Sequence, residues 1–211
     1  MSIKTVAIFG GAFDPVHQDH VRLARLCLDL HLCEEIWFVP SPDRWDKKLF
    51  ASAEDRLAML DLVVGDDPRI RISEMELNLG DYRGSYVSMC TFREQFPEVN
   101  FRLLVGADSY QGIPHWRDPL HFFGTEFNGP QLLKEFELIV FERRGSPKPD
   151  MQEHRAKGYA QMFWVGSEHG FDGKFASSEI RKELFFGRGK KPEGLDEKVF
   201  RYIQEHEIYR L

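Results

Sequence analysis

The residues best suited to chemistry stand in one run, Gly10-Gly11-Ala12-Phe13-Asp14-Pro15-Val16-His17-Gln18-Asp19-His20. Two glycines leave backbone N–H groups open to an anion, because no Cβ stands in the way. His17 and His20, three residues apart, can share one side of a helix start and donate to the same anion. The helix N-terminus adds a fixed positive dipole. No Gly-Lys-Ser/Thr follows, so the run is not a Walker A loop, and it lacks the Gly-x-Gly-x-x-Gly of a dinucleotide fingerprint. It reads as a strand-to-helix phosphate cradle with imidazole donors. Two plainer readings stay open. The glycines can simply make a tight turn beside solvated histidines, or His-x-x-His can be half of a zinc site, although no third ligand stands close by.

A cradle of that kind needs a strand before it and a helix after it. Strand-like segments fall at 5–9, 35–39, 69–73, 100–105, 138–141 and 161–165, several nearly continuous in apolar residues, as strands covered on both faces require. Helical spacing runs from His20 to Leu32, from Arg56 to Val64 and from Tyr86 to Phe96. This alternation predicts an α/β fold, a doubly wound Rossmann-like parallel sheet with ligands at the carboxyl ends of its strands. C-terminal helices close it: Ser177-Ser178 reads as a capped helix start, and Asp196 as the cap of a last helix carrying Val199 and Ile203. The stretch Pro119–Gln131, rich in Gly and aromatics, breaks the rhythm as a loop or insertion, and Gly145–Asp150 is a second loop. No repeat or linker is visible, which favours one domain over 1–211 with a C-terminal helical part at about 176–211.

Composition narrows the class. The 211 residues are 42% hydrophobic, 29% charged and 13% aromatic, ordinary for a folded globular protein and unlike a disordered or fibrous chain. With 28 basic against 34 acidic residues the net charge is -6, which disfavours nucleic acid as the main partner but allows a local positive pocket, assigned to His17, His20 and Arg181. No apolar run is long enough to span a bilayer, so no membrane partner is expected, and Met1-Ser2-Ile3-Lys4 lacks signal-peptide form. Cys27, Cys33 and Cys90 are scattered without Cys-x-x-Cys, which predicts reduced thiols and a cytoplasmic location.

Gly-Gly-x-Phe-Asp-Pro-x-His-x-x-His resembles the signature of the nucleotidyltransferase superfamily, whose HxGH motif binds a triphosphate. Further matches, in order, resemble the bacterial nicotinate-nucleotide adenylyltransferase family. They are Phe38-Val39-Pro40-Ser41, Arg56-Leu57-Ala58-Met59-Leu60, Glu76-Leu77, Ser85-Tyr86 and Gly106-Ala107-Asp108-Ser109 with Trp116 after it. Val140-Phe141-Glu142-Arg143, Phe175-Ala176-Ser177-Ser178-Glu179-Ile180-Arg181 and a tail with Val199-Phe200-Arg201-Tyr202-Ile203 and Ile208-Tyr209 complete the series.

The resemblance implies AMP transfer from ATP to a pyridine mononucleotide with release of pyrophosphate, where positioning and electrostatic stabilisation do most of the work. It implies catalytic roles for His17, His20 and Arg181, and ATP binding by Gly10, Gly11, Ala12, Phe13, Gly106, Asp108, Ser177 and Ser178. Lys47, Lys48, Tyr86, Trp116 and Arg143 fall on the mononucleotide side. Magnesium enters bound through the ATP phosphates, with no protein metal ligand assigned. Structural alternatives stay open at several positions: a helix N-cap for Asp108, a core or rim tryptophan for Trp116, an exposed strand end for Arg143 and a solvated basic loop for Lys47 and Lys48. Gly187-Arg188-Gly189-Lys190-Lys191 reads as a helix exit, His115 as surface and Cys27 as a buried small hydrophobe.

Three departures from the family pattern matter. Asp19 stands where Gly is usual and either repels phosphate or caps the helix. Val87-Ser88-Met89-Cys90 replaces Thr-x-Asp-Thr, which leaves nicotinate against nicotinamide mononucleotide undecided. Asp46-Lys47-Lys48 stands in place of Pro-Pro-His-Lys. The aromatic stretch Phe122–Phe127 is open between a lid and a contact between copies in a homo-oligomer. The competing readings are another small-substrate adenylyl- or cytidylyltransferase on the same scaffold, and a nucleotide-binding regulator without catalysis. A class I tRNA synthetase shares the histidines, but 211 residues leave no room for tRNA-reading domains.

Overall fold

The computed structural model describes residues 3–43, 48–65, 67–118, 124, 126–187 and 189–210. Six strands form one parallel sheet: β1 (Lys4–Gly11), β2 (Glu35–Pro40), β3 (Ile70–Ile72), β4 (Val99–Gly106), β5 (Glu137–Phe141) and β6 (Met162–Val165). Their order is β3-β2-β1-β4-β5-β6, so the chain winds one way from β1 to β3 and the other way from β4 to β6. The direction reverses between β1 and β4, whose register pairs Lys4 with Val99 and Ile8 with Leu103. In such a sheet the carboxyl ends of the two strands splay apart and leave a crevice.

Strand residues alternate between the faces, and both faces are covered. Ala7, Phe9, Phe38, Ile139 and Phe141 join one core, and Val6, Ile8, Trp37, Val39, Leu103 and Val140 join the other. That double burial is why these strands read as continuous apolar runs. The first core is covered by α1 (Gln18–Asp29), α2 (Ala53–Val64), α8 (Ser177–Phe186) and α9 (Glu197–Glu205), through Leu23, Met59, Ile180 and Val199 among others. The second takes α4 (Ser85–Gln95) and α6 (Gly129–Glu135), through Met89, Phe92 and Leu132. The C-terminal helices therefore share a core with the sheet.

Three short helices, α3 (Met75–Asn78), α5 (Ala107–Tyr110) and α7 (Met151–Ala156), lie where no helix is expected from spacing. Part of the stretch expected as a loop at Pro119–Gln131 is helical, since Gly129 opens α6 with Pro130 in its first turn. A bridge between Arg117 and Phe127 and the Asp118 N–H to Glu126 O bond close the base of the preceding segment. The cap at α8 also differs: Ala176 is the capping position, Ser177 is already inside the helix, and its hydroxyl donates to the Pro15 carbonyl at 2.9 Å. Asp196 caps α9 as expected, accepting from the Lys198 N–H at 2.8 Å. Among the described residues no helix is long and apolar enough to cross a membrane, and all three cysteines are free and buried.

Candidate active site

β1 ends at Gly10-Gly11 and β4 at Gly106, one on each side of the crevice. A Cβ at Gly10 would meet nothing within 4 Å, so the backbone there borders open space. At Gly106 a Cβ would overlap Asp108 Oδ1 and come within 2.9 Å of Arg143 Cγ, so any larger residue would displace these two side chains. Phe13 takes a positive φ of 50° and buries its ring beneath Gly11, where an added Cβ would lie 2.9 Å away.

The two histidines form a unit. Their rings stack with centroids 3.7 Å apart and 23° between planes. The His17 N–H donates to His20 Nδ1 at 3.1 Å, which leaves the His20 ring proton on Nε2. Phe9 and Phe13 meet the His20 ring edge-on at 5.7 and 5.1 Å. His17 is 3% exposed, and its Nδ1 has no hydrogen-bond partner. Burial, assisted by the nearby Arg143 charge, lowers its pKa to about 3. At that value His17 is a neutral imidazole at physiological pH, because burial disfavours its charged form.

Permanent positive charge comes from arginines. Arg181, on α8, donates to the Asp14 carbonyl oxygen, lies 3.6 Å from Asp14 Oδ2 and stacks over Phe50 at 4.9 Å. Asp14 itself is buried and ties several segments to the loop. It accepts from the Phe50 and Ala51 N–H groups at 3.0 Å each and from the Tyr209 hydroxyl at 2.6 Å. Arg56, fully buried on α2, donates to the Ala12 carbonyl at 2.9 Å. On the β4 side, the Arg143 Nε lies 3.7 Å from Asp108 Oδ2 while its Nη1 donates to the Phe175 carbonyl at 3.0 Å. Asp108 is exposed in the second position of α5, where its Oδ1 accepts from the Ser109 N–H; Gly106 occupies the cap.

Most of the expected ATP side is thus brought together: Gly10, Gly11, Ala12, Phe13, His17, His20, Gly106, Asp108, Ser177 and Arg181, with Ser178 exposed on the first turn of α8. The mononucleotide set is not. Arg143 stands with Asp108. Tyr86 is buried in the second core, with its hydroxyl donating to Glu135 at 2.7 Å, so that hydroxyl is engaged in packing α4 to α6. The departing segment Val87-Ser88-Met89-Cys90 is buried in α4, with Ser88 Oγ donating to Glu76 at 2.6 Å. Trp116 is half-buried against the second core beyond α5, and Lys48 is exposed beside the Phe50 ring. Lys47 lies outside the described residues.

Asp19 does not cap α1, whose capping position is His17. It is 3% exposed, and its Oδ2 accepts from the Phe175 N–H at 2.8 Å, 156 residues away. Burial raises its pKa, partly offset by that bond. Asp14, Arg56 and Tyr209 had not been assigned a part in the site. An arginine inside the apolar face of α2, three and four residues before Met59 and Leu60, is the one sequence signal that points to Arg56.

The Gly10-Gly11 loop thus stands at the switch point of a parallel sheet, with Arg181 against that loop and Arg143 against Asp108. Residues 8–183 match the family described as cytidylyltransferase-like, and the chain belongs to it. Among its relatives, a probable nicotinate-nucleotide adenylyltransferase of Neisseria meningitidis serogroup B is 28% identical over 211 residues, spanning 98% of this chain and 99% of that one. One of the same description from Geobacillus kaustophilus is 35% identical over 145 residues, covering 65% and 67%. The fold is that of Plasmodium falciparum nicotinic acid mononucleotide adenylyltransferase complexed with NaAD, with a TM-score of 0.79 at 22% identity over 98% of this chain and 97% of that one.

Proposed function

We propose that this chain transfers AMP from ATP to nicotinate mononucleotide, releasing pyrophosphate and forming the dinucleotide used in NAD biosynthesis. What supports the reading is the stacked His17–His20 pair, Arg181 against Asp14 in the loop after β1, and Asp108 with Arg143 at the end of β4. The names of the relatives that align over the whole chain supply the substrate class.

The mononucleotide phosphate attacks the α-phosphorus of ATP, the new P–O bond forming as the bond to pyrophosphate breaks. Negative charge builds on phosphoryl oxygens and on the leaving group, so fixed donors aimed there lower the barrier. His20, protonated on Nε2, donates one hydrogen bond, and neutral His17 and the amides of the Gly10-Gly11 turn add uncharged donors. Arg181 brings charge from the α8 side as a planar fork suited to phosphate. Asp108 accepts from ribose hydroxyls, and Arg143, placed beside it, serves the ATP side rather than the mononucleotide. Trp116 and Lys48 remain for the mononucleotide. Among the described residues no group of three or more His, Cys, Asp or Glu could hold a metal. Magnesium would enter with the triphosphate and would supply neutralisation of phosphate charge. We place the enzyme in the cytoplasm as a single domain, since its C-terminal helices pack into the sheet's own core.

The test is a pyrophosphate-release panel of ATP or CTP against nicotinate mononucleotide, nicotinamide mononucleotide, phosphopantetheine and glycerol phosphate. Release is expected with ATP and a pyridine mononucleotide, and His20→Ala should abolish it without changing the circular dichroism spectrum. Activity only with CTP or only with another acceptor would overturn the substrate assignment. Binding of ATP with no turnover on any acceptor would mark a regulator.

A further inference from the structure

The position where this chain departs from Gly in the resembled His-x-Gly-His pattern is built into a clasp. α1 presents Asp19 and Arg22 three residues apart, on one face of its first turns. Both reach the segment 170–175 that leads into α8. Arg22 donates to the Gly170 carbonyl and lies 3.6 Å from Asp172, and Asp19 accepts from the Phe175 N–H at 2.8 Å. On its far side the same segment lies against the end of β5, where a Cβ on Gly173 would overlap the Glu142 carbonyl and come within 3.2 Å of Arg143 Cα. The Phe175 carbonyl, one peptide unit from the amide that Asp19 holds, accepts from Arg143 at 3.0 Å, and Arg143 faces Asp108.

We infer that Asp19 is a positioning residue for nucleotide binding. It holds the Phe175 amide, which fixes the carbonyl that orients the Arg143 guanidinium opposite Asp108. One oxygen of this carboxylate is committed to the clasp, and the Arg22 and Arg143 charges act on it against burial and the neighbouring Asp172. Without the carboxylate the Phe175 amide loses its acceptor, the segment gains freedom, and Arg143 has no fixed carbonyl to hold its plane. The loss falls on ATP affinity rather than on the reacting phosphate, which lies with the histidines and Arg181.

The inference rests on the ATP side of the function proposed above. The experiment is calorimetric titration of the full chain with magnesium ATP, alongside steady-state constants for both substrates. Asp19→Ala and Asp19→Gly should each weaken ATP binding about fivefold to tenfold, as loss of one ordinary hydrogen bond does. The KM for ATP should rise in step, with kcat and the KM for the mononucleotide changing less than about twofold. Asp19→Asn keeps an acceptor for the Phe175 amide and should restore most of the affinity. Unchanged ATP affinity in Asp19→Ala or Asp19→Gly, with only a lowered unfolding temperature, would overturn the inference and leave the function intact. Equal weakening in Asp19→Asn would also overturn it, because charge rather than the clasp would then be responsible. Failure of the unaltered protein to bind ATP would overturn the function itself, and the inference with it.

Discussion

The neutrality of His17 can be measured without any substrate. Its folded pKa of about 3 lies below the ordinary 6.5 of an unfolded histidine, so between these values the unfolded chain binds the extra proton. Stability is therefore full above the unfolded value and falls as pH drops toward the folded one. From about pH 7.5 to about pH 5, linkage places the loss due to this one side chain at about 2 kcal/mol. For a chain of this size that is about 4–8 °C in unfolding temperature. The perturbation is His17→Asn, which removes the titrating group and leaves a good capping residue at the position before α1. The assay is urea unfolding of both proteins at the two pH values. Groups common to the two proteins cancel in the difference, including Asp19, whose raised pKa acts with the opposite sign. The unaltered protein should lose about 2 kcal/mol more than His17→Asn on acidification. Equal losses would mean that His17 is protonated in the folded state, and the account of an uncharged donor pair would fail.

Two further predictions concern the supports of the loop. Tyr209→Phe removes the 2.6 Å bond to Asp14 but leaves the Ala51 N–H on the same oxygen, so chemical unfolding should show a loss of about 2 kcal/mol rather than collapse of the fold. Gly106→Ala places a methyl against Asp108 Oδ1 and Arg143 Cγ, so calorimetry should show ATP binding weakened at least about tenfold, with a circular dichroism spectrum like that of the parent. Retained affinity would mean that the Asp108–Arg143 pair takes no part in nucleotide binding.

The strands were legible because both faces of the sheet are buried, which writes a nearly continuous apolar run into several of them. The long helices α1, α2 and α4 were legible for a related reason, since one stripe of each meets a core. The short helices are four to seven residues long and pass too few turns to establish a period. At α6, Gly129-Pro130 looks like a break, yet proline in the first turn is a helix start, and the Asn128–Gly129 step could not be told from the loop before it. In the site, the glycines and histidines were legible as a motif because they are contiguous. The partners of Asp14 and Asp19 were not, because no local pattern links residue 14 to 209 or residue 19 to 175. Tyr86 shows the reverse: a residue matched in sequence whose hydroxyl is used in packing.

Those distant partners bear on the chemistry as well as on the fold. Residues 12–19 are tied by Arg56 at Ala12, by Phe50, Ala51, Tyr209 and Arg181 at Asp14, by Ser177 at Pro15 and by Phe175 at Asp19. The sequence separations run from 36 to 195 residues. Contacts that close loops of that length form only when the rest of the domain offsets their entropy, so the motif cannot hold its geometry alone. His17 stands buried within this tied run, and burial is the larger cause of its lowered pKa. It follows that loosening the tail or the clasp should raise the pKa of His17 toward its ordinary value.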